Sequence, residues 1–439
     1  MNVLIIGSGA REHAIAKAFK MSRHQPSIFC FGSSRNPGIM DITAGYKSGS
    51  VTDVPAIIEF AKHHAIDWAI VGPEAPLEAG VVDALKELGI PSVGPTKTLA
   101  QIETSKSFTR DLLQKYNVPG APRFQSFTST EGLHAYLESF SMGYVVKADG
   151  LMGGKGVKVS GDHVQTIEEG FAYASECIAN DGRVLIEEKF VGQEFSLMSL
   201  CDGEHLVHFP PVQDHKRAFD GDTGPNTGGM GSYSDANHSL PFLTPDDIVQ
   251  AQSMNVRTAQ ALKAELGEDY KGVLYGGFMA TADGVKLIEY NARFGDPECM
   301  NVLAILETDF VDLCQAVIAG TLSNNHLRFA PKATVCIYAV PEGYPDAPVK
   351  NQEINISMIK NPERMYLGAV DQKDDGTMIE TGSRTVAVVG VADTLAEAEQ
   401  IAEEEINRIQ GPLFHRKDIG TPALIQARID MMKELRKAI

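Results

Sequence analysis

Lys147 ends the apolar run Val145-Val146-Lys147, and the turn after it carries Gly150, Gly153, Gly154, Lys155 and Gly156. Glycines let backbone N–H groups fold closely around phosphate oxygens, and lysines add point charge. The stretch is not a P-loop, because Gly156 leads into the β-type run Val157-Lys158-Val159 rather than a helix. A plain hairpin would account for some of the glycines but not for the two lysines. A second informative run is Val285-Lys286-Leu287-Ile288-Glu289-Tyr290-Asn291-Ala292-Arg293-Phe294-Gly295-Asp296. Side chains alternate along a strand, so Val285, Leu287, Glu289, Asn291 and Arg293 share one face, which passes from a core into a polar cleft. Oxygens of Glu289 and Asn291 are hard ligands suited to magnesium that bridges phosphates. Arg293 suits a transferring phosphoryl group or an acyl phosphate. The alternative is a strand end emerging into water.

Other signals are weaker. Apolar Val184-Leu185-Ile186 runs into Glu187, Glu188, Phe190 and Glu194. Backbone groups after Glu187 could read an adenine edge and Glu194 could hold ribose hydroxyls, although charged residues after a strand are usually a solvated loop. Gly7-Ser8-Gly9-Ala10-Arg11-Glu12 joins a strand to a helix, a place that attracts phosphate. It is not a dinucleotide fingerprint: Glu12 stands at the third glycine, and no acidic ribose clamp follows Cys30-Phe31-Gly32. Gly72-Pro73-Glu74-Ala75-Pro76 ends another strand and reads as a ligand contact or a helix start. Cys201, His205 and His208 have a zinc-like spacing, but Asp202-Gly203-Glu204 reads as a hairpin turn between strands, so they are structural.

The elements that position these residues follow from periodicity. The first hundred residues alternate strand and helix, with strands at 2–6, 27–31 and 68–71 and helices over 11–20, 54–64 and 76–88; this pattern predicts a doubly wound parallel sheet. A helix over 105–116 leads to a hinge at Val118-Pro119-Gly120-Ala121-Pro122. Strand-rich sequence with a helix over 166–178 follows, then a long helix near 246–266 and a hairpin turning at Asp283-Gly284. Strands at 333–340 and 385–391 and a helix over 394–409 mark a mixed C-terminal region.

Composition bounds the whole. With 439 residues the chain has room for about three domains. A net charge of −18 argues against a general binder of nucleic acid or anionic membrane. No 18-residue apolar span occurs, which excludes a membrane-spanning helix, and the first apolar run meets glycines and charges too soon for a signal peptide. Six cysteines without a CxxC pair read as reduced thiols of a cytoplasmic protein.

Together these segments resemble the ATP-grasp superfamily, and within it the phosphoribosylamine–glycine ligase family. The likeness runs end to end. It is carried by Gly7 to Ala14, Gly72 to Leu77, Lys147-Ala148-Asp149-Gly150 with Gly154-Lys155-Gly156, and Gln213-Asp214-His215-Lys216-Arg217. It continues through Asp222-Thr223-Gly224-Pro225-Asn226-Thr227-Gly228-Gly229-Met230-Gly231, Glu289 to Glu298, and Arg416-Lys417-Asp418-Ile419-Gly420. The resemblance implies an α/β chain in three parts. Residues 1–104 form a doubly wound parallel-sheet domain that binds phosphoribosylamine. Residues 105–330 form an ATP-grasp fold of two α+β lobes, with a mobile ATP lobe at about 123–192, and 331–439 form a small mixed α/β domain. It implies ligation of glycine to 5-phosphoribosylamine with ATP and Mg2+ or Mn2+, by a monomer or weak dimer without nucleic-acid or membrane partners.

By matching position, the resemblance implies that Lys106 and Lys147 contact phosphates, with Gly153, Gly154, Lys155 and Gly156 in a loop covering them. Glu187, Glu188, Phe190 and Glu194 line the nucleoside site, and Glu289 and Asn291 hold the metal. Arg293, Gly295 and Asp296 face glycine and the phosphoryl group, and Arg293, Lys147 and Asp296 carry the chemistry. The amine substrate is bordered by Asp214, Lys216, Gly228, Gly229 and Met230 together with Gly9, Arg11, Glu12, Pro73 and Glu74. The sequence departs from the family's pattern at Ala10, where a glycine is usual, at Ser34-Arg35-Asn36-Pro37-Gly38, and on the strand Tyr275-Gly276-Gly277-Phe278-Met279-Ala280, which lacks the second metal-binding acid of several relatives. The alternatives are an ATP-grasp ligase for another acid or amine, and a regulator that clamps ATP without turnover.

Overall fold

The computed structural model describes residues 1–150, 156–324 and 327–437. Gly153, Gly154 and Lys155, part of the expected phosphate loop, lie outside the described residues.

Five parallel strands build the N-terminal sheet, in the spatial order Gly45–Ser48, Ser27–Gly32, Asn2–Ile6, Trp68–Val71, Ser92–Val93. The apolar runs behind the prediction are its core: Val3, Leu4, Ile5 and Ile6 are fully buried. Strand order reverses between Asn2–Ile6 and Trp68–Val71, which is where doubly wound sheets open a crevice. The loops beginning at Gly7 and Gly72 leave these two strands side by side, and the Gly72 amide donates to the Ile6 carbonyl at 2.9 Å.

In this sheet domain a helix differs from expectation. The helix predicted over 76–88 is two helices, Ala75–Ala79 and Val81–Glu87. Gly80, at φ +85°, adopts the left-handed conformation between them, which a periodicity argument treats as a tolerated helical glycine.

Two antiparallel sheets form the central region. One has the order Phe124–Phe127, Val184–Glu188, Tyr144–Ala148, Val157–Val159, and is covered by the helices Leu133–Glu138 and Ile167–Asp181. Its core, with Phe127, Leu137, Val146 and Ile186, is separate from the core of the rest of the molecule. The other sheet has the order Leu206–His208, Gln193–Asp202, Lys271–Thr281, Gly284–Asn291. Its last two strands are the hairpin signalled by Asp283-Gly284, and the helix Pro245–Leu266 packs against it. Ser199 Oγ and His208 Nδ1 lie 2.7 Å apart across two of its strands, and Cys201 is buried, so the zinc-like spacing is structural.

A further sheet crosses from the central region into the C-terminal one. Gln213–Asp214 pairs with Gly231–Ser234, which pairs with Ala333–Pro341, then Val386–Ala392 and Met365–Leu367. The chain ends in a helix, Pro422–Lys437, absent from the sequence reading; its Arg428 and Arg436 pair with Asp222 and Asp247. No described helix is long and apolar enough to cross a membrane. All six cysteines are unpaired and buried.

Candidate active site

A cleft of about 1050 Å³ opens where the N-terminal loops, both central sheets and the C-terminal strands meet. Lys147, Gly156, Glu289, Asn291 and Arg293 all line it. So do Lys106, Glu188, Phe190 and Glu194, together with Arg11, Pro73, Glu74, Asp214, Lys216, Gly228 and Asp296. Gly9, Glu12, Gly229, Met230 and Gly295 do not line it. Met230 is fully buried in the core, with its amide and carbonyl bonded to His215 and Tyr338. The sequence reading set it at the amine substrate, and the structure sets it behind that surface.

Lys147 reaches the cleft from the end of Tyr144–Ala148. Its Nζ lies 2.7 Å from Glu187 Oε2 and 3.0 Å from the Ile288 carbonyl. Burial pulls the ammonium below its ordinary range, and Glu187 partly offsets this. Glu187 also meets Arg110, Nε to Oε1 at 2.5 Å and a terminal nitrogen to Oε2 at 3.1 Å. Expected to line a nucleoside site, Glu187 lines the cleft, but its carboxylate is committed to anchoring Arg110 and Lys147. Lys106 starts the helix Lys106–Lys115; its Nζ donates to the Gly150 carbonyl at 2.7 Å, while Asp149 accepts from the Lys106 amide at 2.7 Å. The lysine and the glycine turn are therefore tied together.

Glu289 and Asn291 project from one face of Gly284–Asn291, as alternation requires. Burial would raise the Glu289 carboxyl, but Lys216, Lys147 and Lys106 outweigh it and hold the group below the ordinary carboxylate range. Glu289 is therefore a charged oxygen donor at neutral pH. Gly277 stands opposite it on the adjacent strand, so that position supplies no second carboxylate. The hard oxygens of Glu289 and Asn291, with Gly277 leaving room beside them, fit a divalent cation.

Arg293 is clamped by acids from elsewhere in the chain: a terminal nitrogen lies 3.0 Å from Glu103 Oε1, and Nε lies 3.5 Å from Glu74 Oε2. That Nε is buried and lacks a hydrogen-bond acceptor among the described residues. Asp296 accepts from the Tyr338 hydroxyl at 2.6 Å and meets Arg384 at 3.3 Å. Arg384 also donates to the carbonyls of Gly228 at 2.7 Å and Asp296 at 2.8 Å. At the N-terminal loop, the sequence reading puts phosphate at the start of the helix Ala10–Lys20. The structure puts the Glu12 carboxylate there, accepting from the Gly9 amide at 2.6 Å and Arg11 Nε at 2.7 Å. Glu12, at the third-glycine position, thus closes a capping box on the Gly9 amide.

Three family models match the chain in sequence: the N domain of phosphoribosylglycinamide synthetase at residues 1–103, its ATP-grasp (A) domain at 104–299 and its C domain at 334–422. The chain belongs to the phosphoribosylglycinamide synthetase family. A phosphoribosylamine–glycine ligase of Methanosarcina barkeri is 50% identical over 436 residues, covering 99% of this chain and 100% of the relative. The solved phosphoribosylamine–glycine ligase of Thermotoga maritima superposes with TM-score 0.80 at 29% identity, covering 95% of this chain and 100% of that one. The biotin carboxylase domain of Hydrogenobacter thermophilus 2-oxoglutarate carboxylase, solved with MgADP, shares the fold with TM-score 0.71 at 15% identity, covering 100% of this chain and 95% of that one.

Within this phosphoribosylglycinamide synthetase cleft, residues that sequence reasoning passed over carry much of the geometry. Arg110, Glu103, Tyr275, Glu298 and Arg384 all line it. Glu298 closes the quoted Glu289 to Glu298 run, so a signal existed. Arg384 sits in Gly382-Ser383-Arg384-Thr385, which carries no recognisable pattern.

Proposed function

We infer that this cleft ligates glycine to 5-phosphoribosylamine with cleavage of ATP, giving N1-(5-phospho-D-ribosyl)glycinamide, ADP and phosphate, the second step of de novo purine synthesis. The observation that carries the residue assignment is the convergence of Lys147, Glu289 with Asn291, and Arg293 on one cleft.

A carboxylate is a poor electrophile for an amine. A glycine carboxylate oxygen attacks the γ-phosphorus of ATP and ADP leaves. The phosphoribosylamine nitrogen then attacks the carbonyl of glycyl phosphate, the C–O bond to phosphate breaks, and the nitrogen loses a proton. No covalent bond to the enzyme is needed, so catalysis is positioning and electrostatics. Lys106 and Lys147 face the phosphates, as does Lys155 on sequence grounds. Arg293, held by Glu103 and Glu74, steadies the transferring group. Asp296, pinned by Tyr338 and Arg384, borders the same group.

ATP is used with a divalent cation. Glu289 and Asn291 would hold Mg2+ or Mn2+, which neutralises phosphate charge. Phe190, Glu188 and Glu194 line the nucleoside end. Phosphoribosylamine lies between the N-terminal loops, at Arg11, Pro73 and Glu74, and the Lys216 and Gly228 edge. Domains at 1–104, 105–330 and 331–439 divide this work. The separate core of the lobe at about 123–192 supports its closing over ATP as a unit, which would keep water from the acyl phosphate. A monomer or weak dimer suffices for a cleft built from one chain, and buried free thiols fit the reducing cytoplasm.

Mass spectrometry of a reaction with all three substrates tests the reading. Glycinamide ribonucleotide is expected only when glycine, ATP and phosphoribosylamine are all present. ATP binding without that product would favour the regulator.

A further inference from the structure

We propose that Glu298 and Asp214 together seat the α-ammonium of glycine. The inference deepens the proposed function and rests on it.

The argument begins with charge pairing. Four of the cleft's cations have carboxylate partners of their own: Lys147 has Glu187, Arg293 has Glu103, Lys216 has Glu194 at 3.4 Å and Glu289 at 3.9 Å, and Arg384 has Asp296. Asp214 and Glu298 form no ion pair among the described residues, although both line the cleft. Glu298 is only 2% exposed. A buried carboxylate without a counter-charge is costly unless a ligand supplies one.

The geometry directs both groups toward substrate. Glu298 Oε1 accepts from the Tyr275 hydroxyl at 2.8 Å, and Tyr275 sits opposite Asn291 in the ladder, so Glu298 is held beside the metal-type edge. Its Oε2 has no donor among the described residues. A Cβ at Gly295 would come within 2.4 Å of that oxygen, so the glycine leaves it room. Asp214 Oδ1 accepts from the His215 amide at 2.7 Å, and Oδ2 has no donor among the described residues. A Cβ at Gly229 would meet Asp214 Oδ1 at 2.5 Å and the ring of Pro297, the neighbour of Glu298, at 2.7 Å. Burial and the nearby Glu298 push the Asp214 carboxyl well above its ordinary range, and the pull of Lys216 and Arg384 does not offset them.

Glycine fits this arrangement. Its ammonium and carboxylate sit on one carbon, so a cation seat must adjoin the place where the carboxylate is phosphorylated. Arg293, five positions before Glu298, marks that place. The phosphoribosylamine nitrogen must be uncharged to attack, so it is the poorer match for two carboxylates.

Steady-state kinetics on the full chain test the proposal. Glu298→Gln keeps the shape and removes one charge. The KM for glycine is expected to rise ~10-fold or more, the size of a lost charged hydrogen bond, while those for ATP and phosphoribosylamine hold. In the unaltered enzyme, glycolate, which has a hydroxyl in place of the ammonium, should fail to compete with glycine; in Glu298→Gln the discrimination should narrow. An unchanged glycine KM, an equal rise in all three KM values, or a shift in metal dependence alone would overturn the seat. So would glycolate competing as well as glycine binds in the unaltered enzyme, a measurement that stands even if the variant fails to fold. Loss of only the glycine seat leaves the ligation reading standing; absence of product from the unaltered enzyme overturns both.

Discussion

Glu289 holds its charge because three lysines outweigh its burial, and that charge is what holding a divalent cation would require. Glu289→Gln keeps the size and removes the charge. Turnover should fall by ~100-fold or more, with the melting temperature retained, as read by ADP release and thermal unfolding. Near-normal turnover would remove Glu289 from the metal site. Asp214 behaves oppositely. Its folded-state carboxyl titrates above its unfolded value, so its stabilising contribution is full below the unfolded pKa and is lost as pH rises through the raised one. Asp214→Asn should therefore melt above the unaltered chain at neutral and alkaline pH. The advantage should shrink as pH falls through the raised pKa of Asp214, in paired melts across a pH series. Lys147, Glu289 and Arg293 were legible because charged groups at the end of an apolar strand need a reason. Glu103 and Arg384 were not, because each acquires its meaning from a partner distant in sequence, Arg293 and Asp296.

At the scale of elements, strands were read more securely than helix ends. Buried parallel strands are continuous apolar runs bounded by glycines, and Trp68–Val71 appears as read. The helices Ala75–Ala79 and Val81–Glu87 show what periodicity misses, since both keep apolar residues on one stripe across the break. The break gives a prediction with opposite signs for the two readings. In one continuous helix, Gly80→Ala would stabilise by about 0.5–1 kcal/mol. With Gly80 at φ +85°, it should destabilise by about 1–2 kcal/mol in denaturant unfolding. The N-terminal loop holds the same lesson. Glycine spacing showed a helix start at Gly9, but not that Glu12 closes a capping box there, because that depends on how the Gly9 amide is presented.

For the whole molecule, the C-terminal region is part of the cleft's foundation. Gly231–Ser234 hydrogen-bonds to Ala333–Pro341, whose residues are all buried, and Arg384 spans from this sheet to Gly228 and Asp296. A chain ended after residue 330 should therefore lose cooperative unfolding as well as activity; a sharp melt from it would contradict this. The parallel sheet of the first hundred residues was legible from alternation, whereas the sheet joining Gly231–Ser234 to Ala333–Pro341 was not, since local patterns do not record pairing between distant strands. All these parts converge on transfer of a phosphoryl group to a carboxylate. Glycine labelled with ¹⁸O in its carboxylate tests that transfer most directly. The account predicts that one ¹⁸O per turnover leaves in inorganic phosphate, whereas phosphate free of label would contradict it.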